Sequence, residues 1–384
     1  MPASVAELKA RTENARRLMK AQGIDCLIVT DPLNFLYFTG QNVPLWMAAR
    51  PAMFILPQSG APTVVDWSGP SMFNRLYKKP SANWVEDKRI YPEIPIQDAT
   101  PVDWGVAGIL REKGTAEGTI AIELGYETRL NLAIEDFELL KGQLPKVRWV
   151  DSGPVTWPLR MEKSEWEIEQ LKKACAITAK VWGALFEDIQ PGMTGLQMQT
   201  RIMKDYIDAG ADMDSGPPIT LGATGPGGTF QKGDILYIDG GCRVGGYRAD
   251  FTRRLVFGPP SARQLDEHNG MWDILTQVID RMKIGASTKD IFAFSQGLLE
   301  KRPDWTNYSS HPSLRIGHGI GLGSEPPYIN AYDKNLLGLG MSITPEPKIE
   351  TVEGLLNPEE HIIMRPQGAE IISVGLATHL WVVK

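Results

Sequence analysis

The sequence predicts two domains of different class: an α/β N-terminal domain, then an α+β C-terminal domain whose helices cover one face of a curved, mostly antiparallel sheet. Three observations carry this. The chain has 384 residues at 42% hydrophobic, enough for two separate cores. Up to Val150, short apolar runs alternate with helical patterns. Past Ser164, long amphipathic helices alternate with glycine-rich, strand-like segments.

The elements follow in order. Ser4 with Glu7 forms a capping box, and the helix it opens runs to Ala21 before Gly23 stops it. Ile24 to Thr30 reads as a strand, after which Asp31-Pro32-Leu33-Asn34 supplies turn chemistry ahead of the aromatic stretch Phe35 to Phe38. Met53 to Leu56, Thr63 to Asp66 and Thr119 to Ile122 are further strands, and Arg129 to Leu140 is helical. Val150 to Leu159, with Gly153, Pro154 and Pro158, marks the boundary between domains at 1–155 and 160–384. Beyond it, Ser164 with Glu167 caps a helix on which Ile168, Leu171, Cys175, Thr178, Trp182, Leu185 and Ile189 recur at helical spacing until Pro191-Gly192. Thr194 with Gln197, Ser261 with Gln264, and Ser287-Thr288 before Asp290 open three more.

Composition excludes several function classes. Forty Lys+Arg against 46 Asp+Glu leave a net charge of −6 with no basic block, which argues against a nucleic-acid partner. Apolar runs such as Cys26 to Val29 and Ala52 to Leu56 fall far short of the roughly 20 residues of a membrane helix. The N-terminus lacks an apolar signal core, and Glu7 and Glu13 count against a transit peptide, so a cytoplasmic protein is expected. Cys26, Cys175 and Cys242 are widely spaced with no C-x-x-C, which supports neither a disulfide framework nor a thiolate zinc site.

The chemistry concentrates in four acids and a histidine. Gly233 to Gly241 and Gly245 to Arg253 read as two strands joined by a glycine-containing turn. A hairpin centred on Val244 and Gly245 puts Asp239 directly opposite Asp250; a bulge in the turn would shift that register, and one acid could instead point to solvent or cap the turn. Facing carboxylates between apolar flanks call for a cation. A symmetric return through Thr351 to Gly354 likewise brings Glu346 opposite Glu359. Between these pairs lies His318, in Gly317-His318-Gly319-Ile320-Gly321-Leu322. Four carboxylates and an imidazole suit Mn(II), Fe(II), Co(II) or Zn(II), particularly as a carboxylate-bridged pair of ions.

In this order and context the five residues resemble the creatinase/prolidase/methionine aminopeptidase family, whose C-terminal domain has the pita-bread fold. Asp31 to Asn34, Thr39-Gly40 and the stretch Leu159-Arg160 to Lys163-Ser164 are similar to its two-domain Xaa-Pro dipeptidase branch. The resemblance implies two divalent metal ions, manganese or iron among them, held by Asp239, Asp250, His318, Glu346 and Glu359. Glu360 and Glu370 compete for the last place. It also implies that Thr252 and Thr344 orient ligand carboxylates, and that the protein is a homodimer.

The sequence departs from that family at two places. Peptidases of the family carry a histidine in the loop before the first aspartate and another just after the G-H-G-I-G stretch. Pro218 to Gly228 and Gly323-Ser324-Glu325-Pro326-Pro327 contain neither. The metal centre is kept while the groups that handle a peptide carbonyl are not, as in offshoots acting on small solutes: a lyase that cleaves dimethylsulfoniopropionate, an ectoine hydrolase, and metal-free creatinase. Asn34 to Trp46 with Arg50-Pro51 is similar to that lyase, although Ser324 stands where the lyase has its aspartate base and only Glu325 is next along. Tyr37, Trp46 and Tyr328 could hold a sulfonium or quaternary ammonium by cation–π attraction, or simply belong to an aromatic core. The expectation is a metal-dependent hydrolase that cleaves a C–N bond in a dipeptide or other small peptide-like molecule with a metal-bridging hydroxide, Glu346 passing the proton and Glu325 a further catalytic candidate. The alternatives are a lyase or amidohydrolase on a small zwitterionic solute, or a non-catalytic relative binding a ligand in the groove between domains.

Overall fold

Among the described residues, six helices begin where the sequence supplies a side-chain cap. Ser4 Oγ accepts the Glu7 N–H and opens α1 (Val5–Gln22), ahead of strand β1 (Cys26–Val29). The structure, a computed structural model, describes residues 3–43, 49–67, 83–91, 101–213, 215–216, 219–221, 228–302, 314–351 and 354–384. Asp31 starts a helix where the sequence suggests a turn: its Oδ1 accepts the N–H groups of Leu33 and Asn34, and α2 (Pro32–Thr39) follows, with Pro32 in the first turn, where no N–H is needed. An Asx turn and an aspartate N-cap use the same side-chain bonds and differ only in what comes after.

The first unit, Met1–Leu159, is built on a six-stranded sheet. To β1 it adds β2 (Met53–Pro57), β3 (Thr63–Trp67), β4 (Asp87–Tyr91), β5 (Thr119–Ile122) and β6 (Arg148–Asp151), in the order β4-β3-β2-β1-β5-β6. Neighbours β3/β4, β1/β5 and β5/β6 run parallel, the rest antiparallel. Ile28, Ile55, Val65, Ile120 and Ile122 from the sheet pack with Val106 and Leu110 of α3 (Val106–Glu112) and Phe137 and Leu140 of α4 (Ile134–Gln143). Helix α4 starts later than its apolar pattern because Ala133 is extended, with ψ 147°, and the Asn131 N–H donates to Thr30 Oγ1. The proline-bearing stretch is itself helical, α5 (Gly153–Met161), and the division between units falls inside it.

The second unit, Arg160–Lys384, carries α6 (Glu165–Asp188), α7 (Gly195–Asp208), α8 (Ala262–Arg281) and α9 (Thr288–Leu299). Ser164, Thr194, Ser261 and Ser287 cap them, each accepting a backbone N–H three residues on. One sheet takes β7 (Ile219–Leu221), β8 (Ile235–Gly240), β11 (Phe251–Phe257) and β19 (Trp381–Val383) in the order β19-β11-β8-β7, with a two-residue ribbon of β9 (Arg243–Val244) and β10 (Tyr247–Arg248) beyond β8 and β11. The other orders β12 (Gly317–Ile320), β13 (Ser324–Tyr328), β14 (Ser342–Pro345), β17 (Ile362–Arg365) and β18 (Gly368–Ile371) as β13-β12-β14-β17-β18, and β15 (Ile349–Thr351) pairs β16 (Gly354–Leu356). Among the described residues β11/β19 is the one parallel pair of this unit. Met271, Leu275 and Val278 of α8 pack on Ile343, Ile362 and Met364, leaving the polar ends of these strands to form the site.

Candidate metal centre

Two hairpins and one strand deliver the acids and the imidazole. The tip of the first hairpin is Gly245-Gly246, at φ 59° and 88°, between Val244 and its partner Tyr247. Two successive positive φ angles are what a tight two-residue hairpin turn demands, and valine resists them. The centre therefore lies one residue beyond the expected Val244 and Gly245, and Asp239 faces Thr252 instead of Asp250. A partner shift of two preserves side-chain parity, so Asp239 and Asp250 still project from one face. In the second hairpin Ser342 pairs Ile363 and Ile349 pairs Leu356; continuing either ladder brings Glu346 to Glu359. His318 lies in β12 beside Thr344 of β14.

Three of the five converge: one ligand atom each from Asp250, His318 and Glu359 lies within 4.8 Å of the others. His318 Nδ1 is 2.9 Å from the Gly319 carbonyl, which can only accept, so Nδ1 carries the proton and Nε2 presents its lone pair. That lone pair faces acceptors, with Asp250 Oδ2 at 3.7 Å and Glu346 Oε1 at 3.9 Å. Asp239 Oδ2 accepts the Tyr237 hydroxyl at 2.8 Å. Glu346 Oε2 lies 2.8 Å from Lys348 Nζ, and its Oε1 stands 3.6 Å from Arg315 Nε. Asn357 Nδ2 donates to Glu346 Oε2 and to the Tyr237 oxygen.

Burial, then the neighbouring carboxylates, hold the carboxyls of Asp250 and Glu359 well above the usual range. Burial also raises Asp239, against the Tyr237 hydrogen bond, and lowers His318. Glu346 Oε1 and Glu359 Oε2 are buried and accept no hydrogen bond. Lone pairs facing lone pairs, with carboxylate oxygens unbonded, are costly unless a cation lies among them, and this oxygen-and-imidazole donor set fits a divalent ion of the Mn, Fe, Co or Zn type.

The competing carboxylates lie elsewhere. Glu360 faces the buried Arg253 guanidinium at 3.3 Å and accepts from Ser373, while Glu370 pairs with Lys172 and Arg365. Several expected roles need correction. Glu325, 1% exposed, is held by Arg160 at 2.7 Å and by Lys163, which removes it as a free base. The Thr252 hydroxyl donates to the Asn357 carbonyl, not to a ligand carboxylate. Thr344 Oγ1 is buried and without a hydrogen-bond partner. Tyr37 is a core residue of the first unit: its hydroxyl donates to Leu159 O and Arg11 stacks on its ring at 4.3 Å. Tyr328 is buried, under Arg315 at 5.7 Å, and its N–H donates to Asp333. Trp46 lies outside the described residues, as does most of the loop 218–228. Sequence reasoning missed Tyr237, Arg315, Lys348, Asn357 and His361. His361 Nδ1 accepts the Asp250 N–H at 3.3 Å while Nε2 meets Ser342 Oγ at 2.7 Å, so the ring positions a ligand backbone. Of these, Tyr237, Lys348, Asn357 and His361 each lie two residues from a candidate ligand, which is the signal the sequence carried.

Comparison with known proteins agrees with this architecture. Residues 169–378 match metallopeptidase family M24, and residues 11–162 match the creatinase/prolidase N-terminal domain. An Xaa-Pro dipeptidase from Pyrococcus furiosus is 24% identical, over 94% of this chain and 97% of that protein. An ectoine hydrolase from Halomonas elongata is 22% identical, over 97% of this chain and 96% of its own. The crystal structure of a prolidase from Thermococcus sibiricus shares the fold at a TM-score of 0.82 and 23% identity, covering 99% of this chain and 100% of that one. Since the first match spans more than half of the sequence and holds all five candidate ligands, the chain belongs to metallopeptidase family M24 and is a metallohydrolase.

Proposed function

We propose that the chain is a hydrolase of the Xaa-Pro dipeptidase type, dependent on a divalent metal and cleaving a C–N bond in a small peptide-like substrate. The observation that carries this is the convergence of donors from half-buried Asp250 and buried His318 and Glu359, with Glu346 beside them. Likeness to an Xaa-Pro dipeptidase over nearly the whole of both chains supports the substrate class. Divalent metal bound by the set Asp239, Asp250, His318, Glu346 and Glu359 would supply Lewis-acid polarisation of the carbonyl and a water made nucleophilic near neutral pH. The chain's own groups do the rest. Glu346 takes a proton on Oε1, the oxygen that accepts no hydrogen bond, and returns it to the leaving nitrogen. Lys348 and Asn357 fix the other oxygen, and Tyr237 orients Asp239.

A second reading has its own support. No histidine stands at 323–327, and Glu325 is taken up by Arg160 and Lys163, so that strand offers a substrate carbonyl no imidazole. Likeness to an ectoine hydrolase points the same way, toward a smaller solute with a cleavable amide or a related zwitterion. Steady-state kinetics on Xaa-Pro dipeptides beside ectoine and dimethylsulfoniopropionate separates the readings. Lacking one oxyanion donor costs about 10² to 10³ in rate, so dipeptide turnover is expected below about 10⁴ M⁻¹s⁻¹ in kcat/KM. Efficient turnover of a solute alone favours the second reading, and turnover of nothing by metal-loaded protein defeats both.

A further inference from the structure

Glu346 and Lys348 flank Pro347 in the segment joining β14 to β15, and their side chains meet at 2.8 Å. Arg315, three residues before His318, approaches the other oxygen of Glu346 at 3.6 Å. Glu346 therefore takes its countercharge from the chain itself. Asp239 Oδ2 accepts the Tyr237 hydroxyl, and the three donors that converge within 4.8 Å are those of Asp250, His318 and Glu359.

We infer that the Lys348 ammonium stands in for a second metal ion, so that the chain holds one divalent ion at Asp250, His318 and Glu359 rather than a bridged pair. The inference rests on the metal-centre reading above. Charge supports it: Asp239, Asp250, Glu346 and Glu359 carry four negative charges when ionised, Lys348 and Arg315 offset two, and a single divalent ion offsets the remaining two. A further divalent ion would share Glu346 with an ammonium already at hydrogen-bond distance and would leave the cluster net positive.

The test reads stoichiometry, not turnover. Metal-stripped full-length chain titrated with Mn(II) should bind about one equivalent tightly by calorimetry and by metal analysis after desalting, with the electron paramagnetic resonance signal of an isolated ion. Lys348→Met, which keeps the stem and removes the charge, should take up about two, with a spin-coupled signal, and Lys348→Arg should stay near one. Two tight equivalents in the wild-type chain overturn the role of Lys348 and leave the metal centre standing. So does a folded Lys348→Met that stays near one. Failure of the wild-type chain to bind either Mn(II) or Zn(II) overturns the metal centre and the inference together.

Discussion

Asp250 gathers more of the site's geometry than any other acid: its N–H donates to His361, its Oδ2 faces His318 Nε2, and it belongs to the converging triplet. Removing the partner of a metal ligand typically costs 10- to 100-fold in affinity, so Asp250→Asn, which removes the ligand charge itself, should cost more than about 100-fold. Calorimetric titration with Mn(II) checks this, and affinity within tenfold of wild type would take Asp250 out of the site. Glu325 predicts a stability effect instead. Glu325→Gln leaves Arg160 and Lys163 buried without their shared anion, a loss of about 3 to 5 kcal/mol in urea unfolding. A loss under about 1 kcal/mol would mean that water reaches both cations. His268, 2% exposed on α8, is pushed by burial down to about 4. Its ordinary value of 6.5 returns on unfolding, so the unfolded chain binds the extra proton and stability falls as pH drops from 6.5 toward about 4. His268→Gln should flatten the stability profile across that window, and an unchanged slope would assign the acid sensitivity to other groups. Asp250 was legible as a ligand from its motif, whereas the partners of Glu325 and the burial of His268 were not. Nothing in the sequence around Tyr237 or Asn357 says that their side chains meet, because they lie far apart in the chain and adjoin through strand pairing.

At the scale of elements, what could be read depended on whether local chemistry decided the outcome. Among the described residues, all four helix starts from Ser164 onward were legible because a Ser or Thr followed three residues later by Glu, Gln or Asp closes the same hydrogen bond in any context. Asp31 was not, since its bonds serve a turn and a helix equally. The second hairpin's register was legible from symmetry, and the first missed by one residue at its centre because φ belongs to the glycines, not to Val244. Strand β12 shows how little slack the assembly has. A Cβ on Gly319 would meet the Pro326 carbonyl oxygen at 2.2 Å and the Glu325 carbonyl oxygen at 2.7 Å, both backbone atoms that cannot rotate away. Gly319→Ala should therefore push β12 from β13 and displace His318, costing about 1 to 3 kcal/mol and a large part of the metal affinity. Unchanged thermal unfolding and unchanged metal affinity in that variant would show that the two strands separate freely.

For the whole molecule, the two classes of domain were legible because hydrophobic patterning switches between them, while the unit division falls within a helix that prolines enter without breaking. A metal bound at one hundred times its dissociation constant adds about 2.7 kcal/mol to stability. Hydrogen exchange should show the added protection concentrated in 235–257 and 317–363, which contain every candidate ligand, and protection spread evenly over the chain would place the binding elsewhere. The hairpin that carries Asp239 and Asp250 also sets what lengths of chain evolution can sample there. Residues added at the Gly245-Gly246 tip lengthen the ribbon and leave both acids where they are. One residue added between Asp239 and Arg243 turns Asp239 to the opposite side of the sheet relative to Asp250, and a second turns it back. Viable insertions in that arm should come in even numbers, a counting rule that the pleat imposes on the site.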